Sequence, residues 1–196
     1  VCQGENKCLT DDFPKFQSAN SELFGISCDS FFSHKAWADS LDLKHRLLSD
    51  FNREVVKKYG LYFEPLNCGK RATVIVDKNG KVAYVAWYKD GQLNNPGRNH
   101  PAYRRFRSNG KLKFEMYYTH GLLHDPGATT PAVRGYFADG SLHYEERYWA
   151  GRRNDAKNGT AAIRKWRRDG TLRHELHYLA GRRLGDGEVP LVNRTR

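Results

Sequence analysis

Short segments of alternating apolar and polar residues fill the second half of the chain. From Leu112 to Tyr118, leucine, phenylalanine, methionine and tyrosine fall on one face, and lysine, glutamate and tyrosine fall on the other. Alternation of period two is typical of an antiparallel strand with one buried face. An Asn-Gly or Asp-Gly pair, the strongest short-range turn signal, precedes each such segment. The pattern predicts β-hairpins with turns at Asn79-Gly80, Asn109-Gly110, Asp139-Gly140 and Asp169-Gly170.

The glycines of these turns stand 30 residues apart, and a second set keeps the same spacing at Gly91, Gly121, Gly151 and Gly181. A fixed period of this size is typical of a repeat protein. We expect a fold that is mainly β with an N-terminal α-helical cap, in which four tandem 30-residue β-hairpin repeats form an elongated antiparallel meander sheet. The expected domains are a disulfide-containing helical cap region, 1–70, and four repeats with a tail, 71–196, the repeats being 71–100, 101–130, 131–160 and 161–190.

The hairpins allow two strand registers. A two-residue turn pairs Arg104 with Glu115, whereas a three-residue turn with the glycine in a bulge places Phe106 beside Leu112. We favour the second register, because burying a whole apolar face outweighs exposed salt bridges, each of which contributes less than about 1 kcal/mol.

The first 70 residues contain an apolar stripe at helical spacing. Ser33 can cap such a helix and Gly60 can end it, and the stripe runs between them. We predict that this helix covers the exposed end of the sheet, because terminal repeats need such protection. The stripe consists of Trp37, Leu41, Leu48, Phe51 and Val55.

All four cysteines of the chain precede the predicted repeats, at Cys2, Cys8, Cys28 and Cys68. Their even count favours two disulfides, most simply Cys2–Cys8 and Cys28–Cys68, although four cysteines allow three connectivities. The chain starts with valine and carries no signal peptide, as a processed, exported protein would, or equally an engineered truncation. We expect a periplasmic or secreted location for a mature chain whose signal peptide has been removed, rather than the cytosol.

The net charge of +11 arises after the first 70 residues, which hold nine Lys and Arg against ten Asp and Glu. A basic surface suits nucleic acid, an anionic membrane or an acidic protein, and it also simply keeps a sheet soluble. Arginine and aromatic residues are enriched at protein interfaces and also bind phosphate and bases. The predicted partner-binding residues are Arg104, Arg105, Arg107, Arg134, Arg147, Arg152, Arg153, Arg164, Arg167, Arg168, Tyr103, Tyr117 and Trp149; the alternative for them is a solvated charged face, with the aromatic residues in the core.

Catalytic and metal-binding motifs are not apparent in the sequence. His174-Glu175-Leu176-His177 is one residue short of the H-E-x-x-H zinc motif, and on a strand its two histidines point to opposite faces. We therefore expect a non-enzymatic protein with no cofactor and no metal. No apolar run approaches the roughly 18 residues of a membrane-spanning helix, so no transmembrane segment is predicted.

The segment from Phe106 to Gly121 resembles the MORN-variant repeat in its pattern [FWY]-x-x-[DN]-G-x-L-x-x-E-x-x-Y-x-x-G. The resemblance covers about residues 71–185, although the period is longer than usual and Val85 replaces the glutamate of the first copy. Tandem copies occur in YwqK-type antitoxins, so the resemblance implies neutralisation of a toxin by binding. An exported, disulfide-bearing member is similar to an immunity protein of a periplasmic antibacterial effector, such as a type VI secretion lipase.

We accordingly expect a repeat protein that neutralises a toxin or effector with an acidic surface through direct protein–protein interaction. The alternative is a basic repeat module that binds nucleic acid or anionic lipid, with an affinity that falls steeply with salt.

Overall fold

The computed structural model describes residues 2–97 and 99–185 of the 196-residue chain, and for Cys2 it describes the backbone alone. The chain divides into two compact units, Val1–Lys70 and Arg71–Arg196. Part of the predicted fourth repeat and the predicted tail, residues 186–196, lie outside the described residues. The predicted nature of the two domains stays a prediction.

The first unit mixes helices with short strands. Helix α3 begins after Ser30, whose side chain accepts a hydrogen bond from the Ser33 amide at 3.1 Å, and it ends at Asp42 in a left-handed conformation. The helices are α1 (Cys2–Asp11), α2 (Phe13–Ser18), α3 (Phe31–Leu41) and α4 (Glu54–Lys58), with a 3-10 turn at Glu64–Leu66. The strands are β1 (Phe24–Ser27), β2 (Arg46–Ser49), β3 (Tyr62–Phe63) and β4 (Cys68–Gly69).

Strands β1 and β2 pair in parallel, with Phe24 opposite Arg46 and Ser27 opposite Ser49. Parallel neighbours need a crossover connection, which here contains α3. The short strands β3 and β4 pair in antiparallel fashion.

The single helix predicted from Ser33 to Gly60 is wrong. The chain leaves α3 at Asp42, forms strand β2, and becomes helical again only in α4. Leu48, a member of the predicted stripe, is 42% exposed. The apolar spacing suited a helix, but the pairing of β2 with β1, which is distant in sequence, determined the conformation.

Asp50 holds the start of α4. Its carboxylate is buried and accepts hydrogen bonds from the amides of Val55 at 3.1 Å and Val56 at 2.8 Å. Burial opposes ionisation, but the amides of Val56, Val55 and Glu54 outweigh it, so the pKa of Asp50 lies below its usual value.

We expect Asp50→Ala to destabilise the first unit by about 1–2 kcal/mol, because two helix-start amides lose their acceptor. Since the folded-state pKa is depressed, this contribution is present above the ordinary aspartate pKa of 3.8 and is lost as the pH falls through the folded-state value. Chemical denaturation followed by circular dichroism measures the difference. An equal loss in Asp42→Ala, whose side chain lies on the surface after α3, would contradict the assignment.

The second unit is built around a large antiparallel sheet. Its strand order is β17-β16-β13-β12-β9-β8-β6-β5, and β7 pairs with β6 outside this path. Short two-stranded pairs, β10 with β11, β14 with β15 and β18 with β19, follow the long strands. The strands are β5 (Ala72–Val76), β6 (Val82–Lys89), β7 (Gln92–Leu93), β8 (Tyr103–Phe106), β9 (Leu112–Met116), β10 (Tyr118–Thr119), β11 (Leu122–Leu123), β12 (Val133–Tyr136), β13 (Leu142–Glu146), β14 (Tyr148–Trp149), β15 (Arg152–Arg153), β16 (Ile163–Trp166), β17 (Leu172–Leu176), β18 (Tyr178–Leu179) and β19 (Arg182–Arg183).

The register of β8 and β9 combines the two alternatives set out above. Arg104 lies opposite Glu115, as in the two-residue turn, and Phe106 lies opposite Leu112, as in the bulged turn. A bulge between Arg105 and Phe106 joins the two registers. The same shift occurs in the pairs β12–β13 and β16–β17.

Buried side-chain acceptors bind the backbone beside the long strands. Asp125 Oδ1 accepts from the amides of Ala132 at 2.7 Å and Tyr148 at 2.9 Å. Asn95 and Asp155 accept in the same way from amides seven and 23 residues further along. These acceptors satisfy backbone donors at points where the strands break, which would otherwise be costly to bury.

The expected fold class is wrong. The first unit is not a helical cap on a mainly β chain, because its helices surround a parallel strand pair, which gives a mixed α/β arrangement. A large antiparallel sheet is present, but it accounts for the second unit alone.

Candidate functional site

The first unit carries the cysteines of the chain. Cys8 is exposed, Cys28 and Cys68 are half-buried, and all three are free thiols. Cys2 is the first residue of α1.

The predicted disulfides Cys2–Cys8 and Cys28–Cys68 are not formed. Six residues of helix separate Cys2 from Cys8, which is about 9 Å along the axis, whereas a disulfide needs Cα atoms within about 7 Å. Cys28 follows β1 and Cys68 lies in β4, which pairs with β3 instead. The periplasmic or secreted location, which depended in part on these disulfides, stays a prediction.

A buried histidine of α3 contacts the end of β1. His34 Nε2 lies 2.8 Å from Ser27 Oγ, and that hydroxyl donates to Asp29 Oδ2 at 2.5 Å. Because the hydroxyl has one proton to donate, Nε2 must donate to it. His34 therefore cannot act as the base that activates Ser27, and this trio is structural.

A groove of the first unit lies between α2 and the strand pair. It combines the aromatic rings of Phe13 and Phe24 with the charged groups of Glu22, Lys44 and Arg46. Within the described residues, no three or more His, Cys, Asp and Glu side chains cluster so that they could hold a metal ion. Among the helices described, none is long and apolar enough to cross a membrane.

Three of the predicted partner-binding arginines form a row across the sheet of the second unit. Arg134 Nε lies 3.2 Å from Glu145, Arg164 Nη2 lies 2.7 Å from the same carboxylate, and Arg104 Nε lies 4.0 Å from Glu115. The two glutamates are buried, at 8% and 7% exposure. These arginines neutralise charges of their own chain.

Arg147 and Tyr117 are buried, at 3% and 4% exposure. Arg147 Nη1 donates to Asp125 Oδ2 at 2.9 Å and to the Ala128 carbonyl at 3.2 Å. Burial opposes ionisation of Asp125 and raises its pKa, although the Tyr148 amide and Arg147 act against this shift. The guanidinium of Arg147 is thus used inside the unit rather than on its surface.

Arg153, Arg107 and Tyr103 also contact neighbouring strands or turns. Arg153 Nη2 lies 3.1 Å from Glu146, which accepts a hydrogen bond from the Tyr148 hydroxyl. Burial and this hydrogen bond raise the pKa of Tyr148 to about 12. Arg107 Nη2 donates to a backbone carbonyl in β12 at 2.7 Å, and Tyr103 stacks between two aromatic rings.

The remaining predicted residues are exposed. Trp149, 62% exposed, packs on His124, and Arg168 lies over the ring of Phe137. Their part in binding stays a prediction, as it does for the rest of the exposed set, Arg105, Arg152 and Arg167.

Comparison with known proteins places the similarity at the N-terminal end. Residues 1–85 match the AhpC/TSA family. The chain is 32% identical over 91 residues to the chloroplastic 2-Cys peroxiredoxin BAS1 of Hordeum vulgare, covering 43% of each protein. It is 33% identical over 86 residues to alkyl hydroperoxide reductase C of Buchnera aphidicola, covering 40% of this chain and 43% of that protein. It is 31% identical over 97 residues to alkyl hydroperoxide reductase E of Mycobacterium tuberculosis, covering 48% of this chain and 63% of that protein.

Among solved structures, AhpC of Enterococcus faecalis aligns with a TM-score of 0.44 at 28% identity, over 46% of this chain and 57% of that one. The reduced 2-Cys peroxiredoxin of Plasmodium vivax aligns with a TM-score of 0.43 at 32% identity, over 45% and 58%. The chain spans less than two thirds of the length of these relatives.

These comparisons overturn the expected identity. The similarity is to peroxiredoxins and alkyl hydroperoxide reductases, so the assignments as a MORN-variant repeat protein, a YwqK-type antitoxin and a type VI secretion immunity protein are wrong. The predicted partners, a toxin, nucleic acid or anionic lipid, are likewise unsupported, and the expectation of a non-enzymatic protein is contradicted by relatives that are named as enzymes. Four tandem hairpin repeats are also not the fold that the comparisons support.

The sequence analysis missed the thiols as functional groups. An even number of cysteines is compatible with disulfides and with reactive thiols, and the count alone does not separate them. A signal was present in the placement of Cys2 and Cys8 six residues apart in a polar stretch that forms a helix. The residues that match the AhpC/TSA family, 1–85, hold every cysteine of the chain.

Proposed function

We propose that residues 1–85 form part of a thiol peroxidase that reduces a hydroperoxide. The observation that carries this proposal is that the region similar to peroxiredoxins and alkyl hydroperoxide reductases contains all four cysteines. The three cysteines whose side chains are described are free thiols, and this supports a redox role, because a thiol must be reduced to attack a peroxide.

The reaction is a two-electron exchange between sulfur and oxygen. A cysteine thiolate attacks the terminal peroxide oxygen, a sulfur–oxygen bond forms, and the oxygen–oxygen bond breaks. The sulfur is oxidised to a sulfenic acid, and the peroxide is reduced to an alcohol, or to water from hydrogen peroxide, after taking up a proton. A thiol, from this chain or from an external dithiol, then condenses with the sulfenic acid to a disulfide and releases water.

Cys2 is the strongest candidate for the attacking residue. Its backbone is the first residue of α1, and the exposed N–H groups at a helix start stabilise a thiolate. Cys8 lies near the far end of the same helix, where the field of the helix favours positive charge instead.

The test is hydroperoxide consumption by the full chain with a dithiol reductant. We expect Cys2→Ser to reduce consumption to the rate of buffer alone, while Cys8→Ser, Cys28→Ser and Cys68→Ser retain peroxide-dependent formation of a sulfenic acid at Cys2. Trapping the sulfenic acid with a dione and mapping it by mass spectrometry identifies the oxidised residue. A wild-type chain that neither consumes hydroperoxide nor forms a sulfenic acid would refute the proposal.

A further inference from the structure

Helix α1 contacts the rest of the first unit through a narrow face. Among its residues with described side chains, Asn6, Leu9 and Thr10 are half-buried and the others are exposed. Their spacing of three and four places them on one side of the helix. With so little apolar surface buried, the polar contacts of this face determine how firmly the helix is held.

Two hydrogen bonds join this face to the segment before β2. His45 Nε2 lies 2.7 Å from Asn6 Oδ1, and the Lys44 amide donates to Thr10 Oγ1 at 3.4 Å. An amide oxygen can only accept, so His45 Nε2 carries the proton and donates. Gly25 of β1 lies beside the pair: a Cβ atom there would stand 3.8 Å from Asn6 Oδ1 and 3.9 Å from His45 Nε2.

The other ring nitrogen of His45 has no use for a proton. His45 is 4% exposed, and its Nδ1 is buried without a hydrogen-bond partner among the described residues. Protonation would place a cation with an unpaired donor in this site, and burial accordingly lowers the pKa of His45. The side chains next to it from α1 and β1 are uncharged, and the charged residues of the adjoining groove are Glu22, Lys44 and Arg46.

We propose that His45 is a positioning residue whose neutral imidazole holds α1 in place, and that acidification loosens the helix and with it Cys2 and Cys8. The consequence for peroxide reduction rests on the proposed function, whereas the loosening of α1 does not. Since the folded unit disfavours protonated His45, the attachment is complete above the ordinary histidine pKa of 6.5 and weakens as the pH falls below it.

Hydrogen exchange of the α1 amides, corrected for the intrinsic pH dependence of exchange, measures the attachment at about pH 7.5 and about pH 5. We expect the wild-type protection of α1 to fall at least about threefold between the two. His45→Gln keeps a donor near the Nε2 position without titrating, so its protection stays constant. His45→Leu removes the donor and lowers protection about twofold to tenfold at the higher pH.

Asn6 supplies the sharpest variant. Asn6→Asp replaces the amide with a carboxylate that favours the charged imidazole, so protection of α1 then rises on acidification until the aspartate itself is protonated. His34→Gln is the matched control, because His34 is also buried but contacts Ser27 rather than α1, and it retains the wild-type loss. A His45→Gln chain that loses protection as the wild type does, or an Asn6→Asp chain with the wild-type direction, would overturn the proposal.

Peroxide consumption distinguishes failure of this proposal from failure of the proposed function. If both hold, the wild-type rate declines below about pH 6.5 and the decline is smaller in His45→Gln. A chain without peroxidase activity still yields the exchange result, and an active chain with the same acid decline in both proteins contradicts the role of His45 alone.

Discussion

Gly135→Ala is expected to lower the free energy of unfolding of the second unit by about 2–3 kcal/mol, the usual cost of forcing extra volume into a packed site. Gly135 lies inside β12, opposite Tyr144 of β13, and the tyrosine ring crosses the place where a side chain would be. A Cβ atom at residue 135 would stand 2.0 Å from Tyr144 Cε1 and 2.3 Å from Cζ. The ring would have to leave its position, and chemical denaturation followed by tryptophan fluorescence measures the loss.

Two controls isolate the contact from the general effect of a larger side chain. Lys165 of β16 lies on the other side of Tyr144 in register, and Lys165→Ala should change stability by less than about 1 kcal/mol. In a Tyr144→Ala background the clash is absent, so Gly135→Ala should become neutral or stabilising, because alanine restricts the unfolded chain more than glycine does. Equal losses in both backgrounds would refute the explanation.

Local features of the fold could be predicted from the sequence, because turn chemistry is local. An Asn-Gly or Asp-Gly pair needs a left-handed glycine, and Gly110 and Gly140 have φ values of 82° and 100°. The register was harder to predict. It depends on the bulge before Phe106, which lets the Arg104–Glu115 pair and the apolar pair beyond it form together, so neither alternative alone was right.

Features that depend on distant residues could not be predicted. The pairing of β1 with β2 joins segments separated by a whole helix, and a stripe that includes Leu48 is compatible with a helix until that partner is known. The same limit applies to the candidate site. His45 and Asn6 are 39 residues apart, and neither belongs to a sequence motif. Similarity over residues 1–85 revealed the chemistry of the thiols, because cysteine count and charge describe surfaces and pairing rather than reactions.

Asp125→Ala is expected to destabilise the second unit by about 3–5 kcal/mol, the usual cost of leaving one member of a buried ion pair alone. Two backbone amides lose their acceptor, at 2.7 Å and 2.9 Å, and the guanidinium of Arg147 loses its carboxylate at 2.9 Å. The raised pKa of Asp125 shows that burial of this charge is itself unfavourable, so the pair contributes less than the cost of breaking it. Chemical denaturation followed by tryptophan fluorescence measures the loss.

The chain contains an uncharged version of the same arrangement, and this makes the explanation testable. Asn95 accepts from the amides of Ala102 and Tyr118, and Tyr117 stands where Arg147 stands relative to Asp125, 22 residues further along. Asp125→Asn alone keeps the backbone acceptor but leaves Arg147 unpaired, so we expect an intermediate loss. The double variant Asp125→Asn, Arg147→Tyr recreates the Asn95 arrangement and should recover to within about 1 kcal/mol of wild type, because replacing a buried ion pair as a whole is often neutral. A double variant as unstable as Asp125→Ala would show that the charges themselves hold these strands together.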